Sequence, residues 1–171
     1  VKILHKDADP FSNLHTSIDN GSLVSVVIPL SSSKNILIPA IPHLYKISNN
    51  RCASVVIHVA VGRNPSNNIG DYTDVMALRQ TGCALLHSTG VQETIDLALI
   101  AHALSIKVGI PVIHFFDGDD KNSSVEKIAG PEHDIIRKLI TESDVAKYRD
   151  QLKTAINSAE RYFTTRESKA N

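Results

Sequence analysis

Histidine is the side chain in this sequence that could most readily act as an acid, a base or a metal ligand near neutral pH. Eight occur, and no two have the four-residue helical spacing, beside a glutamate, that builds a catalytic zinc site. His58, His87 and His114 each lie in or at the end of an apolar run. Because each is isolated in its segment, we expect imidazoles that backbone or neighbouring side chains satisfy, and no catalytic constellation.

Carboxylates cluster after the last apolar run, where three aspartates lie between residues 117 and 120. A calcium loop of the EF-hand type that began at Asp117 would need glycine and glutamate where Asn122 and Ile128 stand. The alternative is a solvated loop at a strand end, which is also where open α/β sheets bind ligands. Asp117 and Gly118 are therefore candidate ligand residues, and the sequence predicts no metal site.

Signatures for several other cofactors are missing. The sequence contains neither the Gly-x-Gly-x-x-Gly turn nor the lysine-bearing phosphate loop. Its two cysteines, Cys52 and Cys83, lack a Cys-x-x-Cys spacing, so they predict neither an all-cysteine zinc site nor an iron–sulfur cluster. They are typical of a reducing compartment. The run Ser31–Ser33 could bind an anion at a helix start, and helix capping explains it equally well.

The composition is that of an ordinary globular domain, with 171 residues of which 42% are hydrophobic and 21% charged. The 18 lysines and arginines balance 18 aspartates and glutamates, which argues against nucleic acid or an anionic membrane as a partner. No apolar run approaches the ~18 residues of a membrane span. We therefore expect a cytoplasmic protein.

Apolar runs alternate with helical patterns along the chain. The runs predict four strands, at residues 23–29, 54–61, 83–87 and 111–116. The patterns predict helices at residues 31–47, 71–81, 91–107, 132–140 and 142–162. Such alternation predicts an α/β fold of three layers, a mainly parallel sheet with helices on both faces. Residues 1–22 are polar and turn-rich, so we assign them to an irregular lead-in and residues 23–171 to a single domain.

The helix predicted at residues 91–107 is the most strongly periodic of these elements. Thr89 and Gln92 have the spacing of a capping box at its start. The three- and four-residue repeat predicts that this helix buries one apolar stripe against the sheet, formed by Leu97 or Leu99, Ile100 and Leu104.

Four sequence motifs between residues 70 and 118 are distinctive: GDYTDVM at 70–76, RQTG at 79–82, VQETIDLALIAH at 91–102 and HFFDG at 114–118. Their order resembles the pyruvate:ferredoxin oxidoreductase family, in the domain that holds the aminopyrimidine ring of thiamine diphosphate. Residues 23–62 resemble the same domain less closely. The resemblance implies the thiamine-diphosphate-binding fold, in its pyrimidine-type domain.

The resemblance also draws attention to residues that differ here. In the family, a carboxylate upstream of the first strand shifts the aminopyrimidine tautomer and generates the ylid. No glutamate precedes Glu93 in this sequence, and the family's Tyr-Pro-Ile-Thr-Pro block is absent. Arg63 lies within one residue of the family's substrate arginine, so the resemblance makes it a candidate substrate residue.

A family domain without that carboxylate resembles the remnant domains of fungal NADPH-dependent sulfite reductases, which reduce sulfite to sulfide in sulfur assimilation. The resemblance implies a non-catalytic role in structure or assembly, with FAD, FMN, NADPH, siroheme and an iron–sulfur cluster held by other domains. The alternative is the pyrimidine-binding domain of an active 2-oxoacid:ferredoxin oxidoreductase that uses thiamine diphosphate and magnesium. A small-molecule binder of the same fold is a third hypothesis.

The chain begins at Val1 and contains one methionine, Met76, so we expect it to have been cut or processed from a longer polypeptide. Its partners are then sister domains or a second copy. We expect them to dock at the carboxyl edge of the sheet, near residues 62–63, 87–88 and 117–118. The isolated chain is expected to bind no cofactor.

Overall fold

A computed structural model describes residues 23–28, 36–49, 54–63, 70–118 and 127–141, together with Phe11, Leu14 and Ile18. The strands are β1 (Val24–Ile28), β2 (Val55–Val61), β3 (Ala84–Ser88) and β4 (Val112–Asp117). The helices are α1 (Ile41–Asn49), α2 (Thr73–Ala77), α3 (Val91–Val108) and α4 (His133–Thr141), and a 3-10 turn, Leu78–Gln80, follows α2.

The four strands form one parallel sheet in the order β1-β2-β4-β3. All four predicted strands are confirmed, each within two residues at either end. Because β3 lies at an edge, the chain returns through α3 and inserts β4 between β2 and β3. The predicted α/β architecture is confirmed.

One face of the sheet carries the larger core. Alternate residues of β2 point to it, and they pack with Leu44 and Ile47 of α1 and with Val75 and Leu78 of the segment after β2. Strand residues of this core, all less than 7% exposed, are Val26, Ile28, Val55, Ile57, Val59, Val61, Ile113 and Phe115. This face therefore holds α1 and α2.

The opposite face is covered by α3. Ala101 and Leu104 pack there against Val56, Leu86 and Val112. The predicted burial of Leu97 and Leu104 is confirmed, whereas Leu99 and Ile100 are only half-buried. The helix ends at Gly109, whose φ of 70° is the left-handed conformation that glycine adopts without strain. Helices on both faces give the three layers that the sequence predicts.

The start of α3 differs from the predicted capping box. The N-cap is Gly90, and it is Glu93 that reaches back, accepting hydrogen bonds from the backbone N–H and the hydroxyl of Thr89, both at 2.8 Å. Gln92 instead bonds Ala129, donating to its carbonyl at 3.0 Å and accepting from its N–H at 2.8 Å. The capping prediction was wrong because both side chains had a better partner, and Gln92 ties the segment before α4 to α3.

The helix predicted at residues 31–47 is interrupted where the structure describes it, because Ile36 is helical and the four residues after it are not. Helix α1 begins at Ile41, so Pro42 lies in its first turn, where a missing N–H costs no hydrogen bond. Residues 37–40, with Pro39, form turns. The serine run 31–33 lies outside the described residues.

Three apolar side chains of the predicted lead-in lie in the larger core. Phe11, Leu14 and Ile18 are 1%, 0% and 6% exposed. The interpretation of residues 1–22 as lying outside the core is therefore wrong for these three, which the turn-rich sequence around them concealed. The domain boundary at residue 23 stays a prediction, and the predicted helix at residues 142–162 lies outside the described residues.

Within the described ranges, no helix combines the length and the apolar character needed to cross a bilayer.

Candidate functional site

The carboxyl ends of β2 and β4 meet at one edge of the sheet, where backbone hydrogen bonds fix the chain as it leaves both strands. The Gly118 N–H donates to the carbonyl of Val61 at 2.9 Å, and the Asp71 N–H donates to the carbonyl of Gly62 at 2.8 Å. Arg63 pairs with Gly70 in an isolated antiparallel bridge. Gly118 therefore serves as backbone support at this edge.

Three side chains converge on this support. The Tyr72 hydroxyl donates to Oδ1 of Asp117, and Nη2 of Arg63 lies 3.9 Å from Oδ2 of the same carboxylate. Arg63 and Asp117 are 32% and 30% exposed, so water screens their attraction. We call Arg63, Gly70, Tyr72 and Asp117 the edge cluster.

Aromatic contacts position Tyr72. Its ring centroid lies 5.2 Å from that of His87 and 5.9 Å from that of Phe115, both in edge-on geometry. His87 stacks on Phe115 at 4.8 Å. The phenol that bonds Asp117 therefore rests on two rings at the ends of β3 and β4.

Gly70 allows this packing. A Cβ atom at this position would lie 2.7 Å from the Cζ and Oη atoms of Tyr72 and 2.9 Å from Oδ1 of Asp117. Real Cβ atoms do not approach that closely, so any larger residue would displace Tyr72. The first residue of the GDYTDVM block thus has a steric reason to be glycine.

A second group of polar side chains lies on the opposite face of the sheet, beneath α3. Nδ1 of His58 lies 3.0 Å from Nδ1 of His114, and Nε2 of His58 lies 3.3 Å from Nε2 of His102. Nε2 of His114 lies 3.0 Å from Oγ of Ser88, which lies 3.0 Å from Oγ1 of Thr94. We call these five residues the histidine chain.

The histidine chain corrects the prediction that these histidines are isolated. His58 and His114 have neighbouring side chains as partners, as expected, but the partners are histidines, and His102 on α3 had not been singled out. The signal was in the register, because His58 and His114 are Cα partners in β2 and β4. His87 points to the other face and belongs with Tyr72.

The histidine chain is neutral at pH 7. Burial, with a further contribution from His102, lowers the pKa of His58 to about 4. Burial, followed by the neighbouring imidazoles of His58, His87 and His102, lowers the pKa of His114 to about 4, and the Glu93 carboxylate opposes this shift. Burial also lowers the pKa of His102. The charged forms are disfavoured because the site is desolvated and the rings would repel one another.

The structure brings two of the three candidate ligand residues, Arg63 and Asp117, into one cluster, with Gly118 beside them. Their roles in binding a ligand stay predictions. The aspartates at 119 and 120 lie outside the described residues. Among the residues that are described, no group of three or more histidine, cysteine, aspartate or glutamate side chains is arranged to hold a metal ion.

Comparison with known proteins places these features in a family. Residues 28–169 match the model of the pyruvate flavodoxin/ferredoxin oxidoreductase, thiamine diphosphate-binding domain. The chain is 34% identical over 153 residues to the pyruvate:ferredoxin oxidoreductase of Moorella thermoacetica, covering 88% of this chain and 13% of that protein. It is 37% identical over 139 residues to a pyruvate-flavodoxin oxidoreductase of Nostoc sp., covering 80% of this chain and 11% of that protein.

A third relative is the mitochondrial NADP(+)-dependent pyruvate dehydrogenase of Euglena gracilis, 35% identical over 143 residues, covering 82% of this chain and 8% of that protein. The chain thus spans about an eighth or less of the length of these relatives. The family match extends over most of its residues and includes every described strand except the first residues of β1. The resemblance found in the sequence is confirmed, and the chain belongs to the thiamine diphosphate-binding domain family of the pyruvate flavodoxin/ferredoxin oxidoreductases.

Proposed function

We propose that this chain is a non-catalytic domain of a larger oxidoreductase and serves its structure or assembly. The observation that carries this proposal is the edge cluster, in which Asp117 already pairs with Arg63 and with Tyr72. The short coverage of the relatives, 8% to 13% of their length, supports a domain within a longer protein.

Thiamine diphosphate does not fit the described residues. Its aminopyrimidine needs a carboxylate from this domain, and at the sheet edge Asp117 is taken by Tyr72 and Arg63. Farther along, Glu93 accepts two hydrogen bonds from Thr89 at the start of α3. The sequence before Glu93 contains no other glutamate. We therefore derive no thiamine chemistry from this chain.

Arg63 is the residue that the resemblance links to substrate. To bind the carboxylate of a 2-oxoacid, its guanidinium would have to give up Asp117 or accept both anions side by side. The second arrangement places two negative charges around one cation and is disfavoured. This supports a structural role for the pair.

We assign the longer protein to the fungal NADPH-dependent sulfite reductases, with FAD, FMN, NADPH, siroheme and the iron–sulfur cluster on other domains. This assignment rests on the resemblance of the sequence to their remnant domains. A buried free thiol, Cys83, is consistent with a reducing cytoplasm.

The experiment uses the longer polypeptide purified from its native source. We expect NADPH-dependent reduction of sulfite, no thiamine diphosphate after acid extraction and thiochrome fluorescence, and no pyruvate-dependent reduction of viologen. The Moorella thermoacetica relative, treated in parallel, is the positive control for the last two measurements. Stoichiometric thiamine diphosphate together with pyruvate oxidation would overturn the proposal.

Calorimetric titration of the 171-residue chain with thiamine diphosphate and Mg²⁺ adds a direct test. A missing carboxylate removes a charge-assisted hydrogen bond of about 1.5–3 kcal/mol, and the isolated domain also lacks a metal clamp on the diphosphate. We expect no heat of binding at micromolar concentrations. Micromolar affinity would contradict the non-catalytic role.

The second candidate is the pyrimidine-binding domain of an active thiamine-diphosphate-dependent 2-oxoacid:ferredoxin oxidoreductase. The identities of 34% to 37% with relatives named as pyruvate oxidoreductases favour it. It requires a carboxylate for the cofactor from residues outside the described ranges or from another chain segment. Thiamine extraction from the longer polypeptide separates it from the first candidate.

Partners of the domain are proposed to be sister domains or a second copy. The edge cluster is packed internally, whereas Leu23 and Val27, at the edge strand β1, are 45% and 69% exposed. In the register of the sheet Val27 is the partner of His58, so it lies on the face covered by α3. Exposed apolar side chains of this kind favour docking beside β1 rather than at the carboxyl edge alone.

A further inference from the structure

The direction in which hydrogen bonds are donated along the histidine chain, called here its polarity, is fixed at one end. Oγ1 of Thr94 lies 2.9 Å from the carbonyl oxygen of Gly90, and a carbonyl can only accept. The single hydroxyl proton of Thr94 therefore points at Gly90, and towards Ser88 the threonine must accept. Ser88 then donates its own proton to Thr94, so it must accept from Nε2 of His114.

The same direction of donation continues through all three imidazoles. A neutral imidazole carries one proton, so His114 protonated at Nε2 has a bare Nδ1 that accepts from Nδ1–H of His58. His58 then has a bare Nε2, which accepts from Nε2–H of His102. The hydrogen bonds thus fix one tautomer for each ring: Nδ1–H for His58, and Nε2–H for His102 and His114.

The other end of the histidine chain is an unused acceptor. Nδ1 of His102 is buried and has no hydrogen-bond partner among the residues that the structure describes. Both nitrogens of His58 and of His114 are engaged. Of the six ring nitrogens, Nδ1 of His102 is therefore the one that can take up a proton without breaking a hydrogen bond.

We propose that the histidine chain holds α3 on the sheet while its three rings are neutral and releases the helix in acid, when protons enter at Nδ1 of His102. We call this acid-sensitive connection the lock. The rings belong to α3, β2 and β4, and Ser88 adds β3, so the lock joins the helix to three strands. The first proton leaves the hydrogen bonds in place. A second proton, on Nε2 of His58 or Nδ1 of His114, places two N–H groups opposite each other in one hydrogen bond and a second positive charge in the histidine chain, so the rings separate.

Titratable groups on both faces of the sheet influence the pH at which the histidine chain opens. On α3 the Glu93 carboxylate favours a charged His114, and on β3 the His87 imidazole disfavours it. The partner of His58 on β1 is Val27, which carries no charge. Burial keeps the rings neutral at pH 7, so the lock opens only in acid.

The sign of the pH dependence follows from proton counting. His58 and His114 have folded-state pKa values of about 4 against 6.5 when unfolded, so the unfolded chain binds more protons in that window. Stability is complete above pH 6.5 and is lost as the pH falls towards 4. Allowing for partial exposure of His58 and His102, we expect the unfolding constant to rise at least ~10-fold between pH 7.5 and pH 5.

Nitrogen-15 NMR of the histidine rings in the 171-residue chain tests the polarity. At pH 7.5 we expect the Nδ1–H tautomer for His58 and the Nε2–H tautomer for His102 and His114. Ser88→Ala removes the acceptor that anchors the polarity, so the tautomer of His58 should become mixed. Ser105→Ala is the matched control, a buried serine on α3 that donates to the Val55 carbonyl outside the histidine chain. The opposite tautomers in the wild-type chain would overturn the proposal.

Amide hydrogen exchange tests the lock itself. Between pH 7.5 and pH 5, after correction for intrinsic rates, protection at residues 97–105 of α3 should fall at least ~10-fold more than protection at residues 44–47 of α1, which packs on the other face. His102→Gln, which lacks the bare ring nitrogen, should lose most of this difference, and His133→Gln on the exposed side of α4 should keep it. Equal pH dependence of α3 and α1 in the wild-type chain would overturn the proposal, whether or not the variants fold.

Discussion

The edge cluster and the histidine chain lie on opposite faces of one sheet, and they are built in opposite ways. The edge cluster joins charged groups that are about one-third exposed, at 32% and 30%, and whose partners come from loops and strand ends. The histidine chain joins neutral rings beneath α3, and His114 is fully buried. One is an arrangement of charges in contact with water, and the other depends on the exclusion of charge.

This difference decides how the stability of each region responds to salt and to pH. Attraction between exposed charges is weak and is screened by salt, so the edge cluster contributes little to stability through its ion pair. Buried imidazoles keep their geometry only while no proton is added, so the histidine chain depends on pH rather than on salt. The substitutions below separate apolar packing, steric fit, hydrogen bonding and charge in these two regions.

Removal of apolar packing beneath α3 should have the largest effect. Leu104 is 4% exposed and packs in the cluster that holds α3 on the sheet. Leu104→Ala should lower the free energy of unfolding by about 2–5 kcal/mol, from lost burial and the cavity left behind. Urea denaturation followed by circular dichroism measures it. Val108→Ala, at a position 47% exposed on the same helix, is the control and should change little. Equal effects of the two substitutions would show that this face contributes no core.

Steric disruption of the edge cluster should come next. In Gly70→Ala the new methyl group would meet the ring and hydroxyl of Tyr72 at 2.7 Å. Displacing that side chain should cost about 1–3 kcal/mol of unfolding free energy, measured by urea denaturation. Gly130→Ala is the control, since a Cβ there meets nothing within 4 Å. If Gly70→Ala is as mild as the control, Tyr72 is free to move aside and its packing does not require glycine.

The two regions also differ in how far the sequence predicted them. The sequence makes Asp117 and Gly118 candidates because they lie at the end of a strand, where open α/β sheets bind ligands. Arg63 is a candidate through the family resemblance. The sequence did not predict the histidine chain, because His102 and His114 lie 44 and 56 residues after His58. Their proximity depends on the strand register and on the packing of α3.

Secondary-structure elements were predicted well where they depend on local sequence patterns and poorly where they depend on distant contacts. The β-branched runs and the three- and four-residue repeat of α3 are local patterns, and they predicted every described strand and the limits of α3 to within two residues. The burial of Phe11, Leu14 and Ile18 depends on contacts with a distant core, and the local sequence around them reads as turns. The cap of α3 was misassigned because Gln92 bonds Ala129, 37 residues away.

Loss of one hydrogen bond in the edge cluster should have a smaller effect. Tyr72→Phe removes the hydroxyl that donates to Asp117 but keeps the ring contacts with His87 and Phe115. We expect about 1 kcal/mol lower unfolding free energy, the net value of one such bond at a partly exposed site. Tyr45→Phe, at an exposed position on α1, is the control. A loss as large as that of Leu104→Ala would mean that the phenol also supports the core.

Removal of the charge at Arg63 should have the smallest effect on stability. Nη2 of Arg63 and Oδ2 of Asp117 are 3.9 Å apart, and both side chains are about one-third exposed. Arg63→Gln should therefore change the unfolding free energy by less than about 0.5 kcal/mol. The change should disappear in 1 M NaCl, where the Debye length is about 3 Å, whereas the effect of Leu104→Ala should persist. Urea denaturation at low and high salt measures both.

The same variant separates the two proposed functions. If Arg63 binds a 2-oxoacid, Arg63→Gln should lower the affinity of the longer protein for pyruvate while its stability stays unchanged. If neither pyruvate binding nor stability responds, the pair is a surface contact only, and assembly of the domain rests on its apolar surfaces.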